Sequence, residues 1–172
     1  MKTSVFVGTS VDGFIARADG SLDFLEAGGQ APHGYDEFIA TIDVLVIGRN
    51  TYETVLGFEE WPYGERPVVV LSTQPLEEPP KGAVVERMDG SPRDIVASLQ
   101  QRGFAHAYID GGVTIQRFLD AGMIHRMTIT RVPVLIGCGI PLFGPMTRDI
   151  SLHHIATRHY EGGLVQSEYD VA

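Results

Sequence analysis

The chain has 172 residues, enough for one domain with a substantial core, and 44% of them are apolar against 20% charged, an ordinary balance for a globular protein in water. Its formal net charge is -9, and its 13 basic residues form no run and no basic-aromatic stripe, so nucleic acid is not expected as a partner. No stretch approaches 18 consecutive apolar residues, the apolar run in "MKTSVFVG" is too short for a signal peptide, and Cys138 is the single cysteine; a cytoplasmic protein with no disulfide and no membrane contact is expected.

"SVFVG" at 4–8 reads as a short apolar strand, followed by a long loop whose Asp12-Gly13 and Asp19-Gly20 pairs mark turns. Apolar residues at helical spacing cover 35–42, and "DVLVIG" at 43–48 is a strand apolar enough for the middle of a sheet. A helix is predicted over 50–56, with Asn50 as its cap and Glu53 completing a capping box. Strands follow at 66–72 and 83–87, separated by a proline-rich loop. The segment 91–103 is a helix by its punctuation: Ser91 as cap, Pro92 at the first position, Gly103 as the stop. "HAYID" at 106–110 is a buried strand and "VTIQRFLDAG" a helix, with Gly111 and Gly112 between them. A long strand is predicted over 125–137, with an edge or bulge demanded at Pro133. The last segment alternates polar and apolar residues on both sides of Glu161-Gly162-Gly163, the pattern of an antiparallel hairpin. Strands and helices alternating through residue 122 predict a three-layer α/β fold. Its sheet is mostly parallel, with helices on both faces and antiparallel strands at one edge, all in a single domain spanning 1–172.

In such a sheet a ligand sits beyond the C-terminal ends of the parallel strands. Three strand ends share a pattern there. Gly48, Arg49, Asn50 and Thr51 follow one strand, Ser72 and Thr73 another, Gly111 and Gly112 a third. Arg49 offers a planar set of donors to a phosphate, the hydroxyls add more, and the double glycine lets a ligand approach the N–H groups of a helix start. Together they suit a ligand with separated phosphates; each alone is equally a surface arginine or a turn. Neither GxGxxG nor GxxxxGK[ST] is present. The acids to weigh are Asp12, Asp23, Glu26 and Asp110. Asp12 and Asp23 flank the first long loop, and Asp110 ends a strand, where it either orients the turn or meets a ligand. The six histidines make no HxxxH or HExxH pair, so no metal site is expected, and GxSxG is absent.

The motifs "GRNTYE", "VVVLST", "YIDGG" and "PVLIGCGIPLFG", in this order, closely resemble the dihydrofolate reductase superfamily. More narrowly, they resemble the C-terminal reductase domain of the riboflavin-biosynthesis protein RibD, in its short free-standing bacterial form with "SVDGFIARADGSLDFL" near the start. The resemblance runs from Ser4 to about Tyr169. It implies a mixed sheet of about eight strands, NADPH as cofactor, a small-molecule substrate and a homodimer. On the family's pattern, Gly48, Arg49, Asn50 and Thr51 would hold phosphates, and Leu71, Ser72 and Thr73 would flank the adenosine 2′-phosphate. Asp110, Gly111, Gly112, Val113, Thr114 and Ile115 would surround the pyrophosphate, and Val7 and Gly8 would run beside the nicotinamide. Asp23, with Asp12 as the alternative, would manage the proton and Thr130 would support that acid; the bland alternative for Asp23 is a cap on a short helix. The Pro-Trp pair of the folate enzymes is absent, and so is the HxE…PCxxC motif of the deaminase half. The implied activity is hydride transfer to a C=N or C=O of a pterin-like or ribosylamino-pyrimidine-like substrate. The competing reading is a nucleotide-binding protein of the same fold with little or no reductase activity.

Overall fold

The computed structural model describes all 172 residues. Ten strands form: β1 (Lys2–Thr9), β2 (Phe14–Ala16), β3 (Val44–Gly48), β4 (Val68–Leu71), β5 (Val85–Met88), β6 (His106–Asp110), β7 (Arg126–Arg131), β8 (Ile140–Pro141), β9 (Leu152–His159) and β10 (Val165–Val171). Four α-helices accompany them: α1 (Tyr35–Ile39), α2 (Arg49–Leu56), α3 (Pro92–Gln101) and α4 (Gly112–Asp120). Eight strands make one sheet in the order β5-β4-β3-β6-β1-β7-β10-β9, parallel from β5 to β7 and antiparallel from there to the edge. This is the eight-stranded mixed sheet with a C-terminal hairpin that the sequence predicts.

The winding explains the layers. From β1 the chain moves outward to β5 with α1 and α2 on one face, then α3 returns it across the other face to β6, which inserts between β3 and β1. Alternation along each strand then feeds two cores. Val44, Val46 and Ile109 pack with Leu99, Ile115 and Phe118 of α3 and α4, while Leu45, Ile47 and Tyr108 pack with Tyr52 and Val55 of α2. A sheet buried on both faces needs apolar residues at every position, which is why "VLVI" shows no polar-apolar alternation.

Three local predictions change. Asn50 is not the cap of α2. Gly48 is, with extended backbone and no side-chain acceptor, and Glu53 reaches the Arg49 guanidinium (3.0 Å) instead of closing a capping box. The strand predicted over 125–137 stops at Arg131: Val132 N–H still reaches Thr9 C=O (2.8 Å), but Pro133 has no N–H to continue the ladder. The first loop holds more order than its turn signals suggest. β2 pairs with β8 in a separate two-stranded ribbon, and Asp23–Gly28 forms a 3-10 turn whose Phe24 packs against Leu164 at the tip of the β9–β10 hairpin and Val132 just after β7.

Candidate functional site

A cleft of about 470 Å³ lies beyond the C-terminal ends of β1, β3 and β6, and it is roofed by the β2–β8 ribbon through Ile15, Ala16 and Ile140. A second cavity of about 330 Å³, lined by Ser72, Thr73, Gln74, Asp89 and Gly90, shares Arg49, Leu71 and Arg117 with the first. The two therefore form one elongated groove with a polar end and an apolar end.

Helix starts decide the middle of this groove. α3, whose N-terminus lines neither cavity, caps itself: Ser91 Oγ accepts the Asp94 N–H (3.2 Å). α2 and α4 begin at Gly48 and Gly111, which carry no side chain, so their first-turn N–H groups have no cap. In α4 the first helical bond is Ile115 N–H to Gly111 C=O (2.8 Å), which leaves the N–H groups of Gly112, Val113 and Thr114 without helical partners. Two uncapped helix N-termini on one groove have the donors and the dipole to take an anion.

The glycines are also required by packing. A Cβ on Gly48 would stand 2.7 Å from Thr114 Oγ1, and one on Gly111 would stand 2.5 Å from Thr51 Oγ1, so each helix start offers a glycine to a threonine of the other. Gly111 further adopts φ +95, a left-handed conformation that a side chain resists. Gly112 has a different reason: its Cβ would meet Ile15 (3.0 Å) and the Pro141 carbonyl (3.1 Å), so it seats the ribbon that roofs the cleft.

At the polar end, Arg49 is held ready. Its Nε donates to Ser72 Oγ (3.1 Å), Nη1 to Glu53 (3.0 Å) and Nη2 to the Pro75 carbonyl. Ser72 Oγ in turn accepts the Gln74 N–H (3.0 Å). Arg117, which the sequence reading passes over, stands across from them and touches only the Gly90 carbonyl (3.4 Å). Its signal was its place four residues after Val113, on the same face of α4.

At the apolar end, Phe6, Tyr35, Phe58, Tyr63 and Tyr108 line the wall. None of them carries a motif, because they come from separate segments. Asp110 ends β6 among them, two residues beyond Tyr108 and on the same face of the sheet. Its carboxyl is set into the cleft wall with one oxygen open to the cleft, and desolvation pushes it up to about 6 against the pull of the Gly111 N–H (2.8 Å). Burial and the Asp110 charge together push the Tyr35, Tyr63 and Tyr108 hydroxyls up, so they stay neutral.

Of the residues predicted to hold cofactor, Val7, Gly8, Gly48, Arg49, Asn50, Thr51, Leu71, Asp110, Gly111, Gly112, Val113 and Thr114 line the larger cavity, and Ser72 and Thr73 line the smaller. Ile115 lies instead in the core, fully buried. The residues predicted for catalysis lie off the groove wall. Asp23 is exposed and paired with Arg17 (2.6 Å), whose guanidinium holds its carboxyl below the ordinary range. Asp12 accepts the N–H groups of Gly137 (2.8 Å) and Ile136 (3.3 Å) and so anchors the loop after β7; the Ser10 hydroxyl, then these amides, hold its carboxyl low. Thr130 is buried in β7 and accepts from Gln166 Nε2 (2.9 Å). No cluster of histidine, cysteine and carboxylate side chains is arranged to hold a metal, and no helix is long and apolar enough to cross a membrane.

The chain matches the RibD C-terminal domain family over residues 2–165. It is 33% identical to the protein YwjB of Bacillus subtilis (strain 168) over 171 residues, covering 98% of this chain and 97% of that one. A Shewanella sp. PV-4 protein named for riboflavin biosynthesis superposes with a TM-score of 0.92 at 40% identity, covering 100% of this chain and 99% of the other. Dihydrofolate reductase from Enterococcus faecalis, solved in complex with NADP(H), shares the fold with a TM-score of 0.65 at 18% identity, over 99% of this chain and 94% of that one.

Proposed function

The chain belongs to the RibD C-terminal domain family, and from that premise we propose that it is an NADPH-dependent reductase. The observation that carries this reading is the single groove with two uncapped helix N-termini at its centre and two arginines beside Ser72 and Thr73 at one end. An elongated polyanion fits it better than any compact ligand. The first-turn N–H groups of α2 and α4 would take the pyrophosphate. Arg49, Arg117 and the Ser72 and Thr73 hydroxyls would take the 2′-phosphate that distinguishes NADPH from NADH, and Val7 and Gly8 would lie along the nicotinamide. When bound, that cofactor supplies the hydride for a C=N or C=O carbon of the substrate.

The chain's own part is to hold the two reactants in line, exclude water beneath the β2–β8 ribbon, and manage one proton. Asp110 has the geometry for the proton. Its Oδ1 accepts the Gly111 N–H, no protein donor reaches Oδ2, and its carboxyl sits near the pH at which a relay works. Asp23 and Asp12 could serve only if the loops they now fasten were to open. A cytoplasmic homodimer acting on a pterin-like or ribosylamino-pyrimidine-like ring completes the proposal. Calorimetric titration with NADPH and NADH tests it. NADPH is expected to bind at least tenfold more tightly, and equal or absent binding of both would overturn it. If NADPH binds but no ring substrate is turned over, the alternative of a nucleotide-binding protein with little or no activity is favoured.

A further inference from the structure

The 3-10 turn Asp23–Gly28 stands between the cleft and the β9–β10 hairpin. On the cleft side, Leu25 lines the larger cavity together with Leu22, which precedes the turn. Leu25 lies over Gly8, where a Cβ would stand 3.0 Å from Leu25 Cδ2. On the hairpin side, Phe24 packs with Leu164 and Val132 in a small core of its own, and Leu25 packs against that core as well. Gly28, Gly162 and Leu164 line neither cavity. One short turn therefore touches the cleft with one face and the hairpin with the other.

Glycines bring the turn and the hairpin tip into direct contact. A Cβ on Gly162 would overlap the Gly28 carbonyl, standing 2.8 Å from its carbon, and Gly162 also holds φ +80. From the other side, a Cβ on Gly28 would run into Leu164 Cδ2 and stand 3.1 Å from Val132 Cγ1. No backbone hydrogen bond joins the turn to the tip, so packing alone fixes their separation. A close-packed contact has no slack, and a displacement of one partner is passed to the other. At its start the turn is held only by the exposed Arg17–Asp23 pair, which contributes little.

We propose that the tip of the β9–β10 hairpin positions this wall of the cleft: Gly162 and Leu164 set, through Gly28, where Leu25 stands over Gly8. This rests on the reductase reading, which lays the nicotinamide half of the cofactor along Val7 and Gly8. Leu25 then bounds that half, while the turn contributes no residue to the smaller cavity that would take the 2′-phosphate. A shift of the turn acts on one half of the cofactor and spares the other. Gly28, Gly162 and Leu164 are positioning residues, since none of them reaches the cleft. The coupling is reciprocal, so a ligand that fixes Leu25 also steadies the hairpin tip.

The test compares two ligands on the full chain by calorimetric titration: NADPH, and adenosine 2′,5′-bisphosphate, which carries phosphates for the polar end but no nicotinamide. Gly28→Ala, confirmed folded by circular dichroism, is expected to bind NADPH about fivefold more weakly or worse, and adenosine 2′,5′-bisphosphate within about twofold of the unaltered chain. Leu164→Ala, which loosens the same contact from the hairpin side, is expected to give the same split. A third measurement needs no variant. On the unaltered chain, NADPH should slow amide hydrogen exchange at residues 161–164 more than adenosine 2′,5′-bisphosphate does. Equal losses for the two ligands, unchanged NADPH affinity in a folded variant, or the same exchange at the tip with either ligand would each overturn the proposal. If the unaltered chain binds neither ligand, the reductase reading fails instead. The coupling is then read on the free chain, where Leu164→Ala should speed exchange at Leu25 and unchanged exchange would overturn it.

Discussion

Asp110 and Arg49 concentrate the consequences at the scale of single residues. The native Asp110 carboxyl holds its proton up to about pH 6, against an ordinary value of 3.8. Between those values the native chain binds more protons than the unfolded one, so this group adds stability as pH falls and costs stability above pH 6. Asp110→Asn keeps an acceptor for the Gly111 N–H and removes the buried charge. It is expected to be more stable than the unaltered chain by on the order of 1–3 kcal/mol at pH 8, with the difference vanishing near pH 4, as urea unfolding at the two pH values would show. Its turnover should fall sharply, while Asp23→Asn, altering an exposed pair with Arg17, should spare turnover on the same substrate; the reverse result would return the proton to Asp23. Arg49→Ala removes charge-assisted bonds worth about 1.5–3 kcal/mol each, and should weaken NADPH by at least tenfold while changing NADH little. Equal losses would mean that Arg49 serves the shared pyrophosphate.

The element scale is governed by how closely the starts of α2 and α4 approach each other. Gly48 has φ -79, which any residue tolerates, so the obstacle to a side chain there is Thr114 Oγ1 alone. Gly48→Ala should cost about 1–3 kcal/mol, and Thr114→Ala in the same chain should recover part of it, giving a coupling above about 0.5 kcal/mol in a double-mutant cycle. Gly111 differs. Its φ is +95, so removing Thr51 Oγ1 should relieve Gly111→Ala far less. Additive losses at Gly48 and Thr114 would disprove the interlock. The double glycine at the start of α4 therefore has two separate reasons, backbone conformation at Gly111 and contact with the β2–β8 ribbon at Gly112. Its pattern in the sequence announces a close approach without saying to what.

For the whole molecule, the feature with the largest consequence is the exposed sheet edge at β9. β9 is an eight-residue edge strand exposed along nearly its whole length, and Leu152, Ile155 and Val165 are exposed apolar residues on this hairpin. Such an edge offers unpaired backbone donors and acceptors to a second strand. The proposed homodimer is expected to use it. Sedimentation at micromolar concentration should give a dimer, and Ile155→Glu should give a monomer that still binds NADPH. A monomeric unaltered chain, or a dimer undisturbed by this change, would move the interface elsewhere.

The sequence by itself determined the layers, the succession of the main strands and helices along the chain, and nearly all of the polar half of the groove. Those features are local: apolar runs, caps, and small residues at strand ends follow from the preferences of neighbouring residues. It also carried a family resemblance that the match over residues 2–165 bears out. Only the tertiary structure decided the aromatic half. Tyr35 and Tyr63 meet Tyr108 and Asp110 because β6 inserts between β1 and β3, a choice of strand order that leaves no mark on any single segment. The same holds for Asp12 and Asp23, which in sequence are acids beside a site. In the fold their charges are satisfied by loop amides and by Arg17, since a carboxylate settles on the nearest available donors before any ligand arrives.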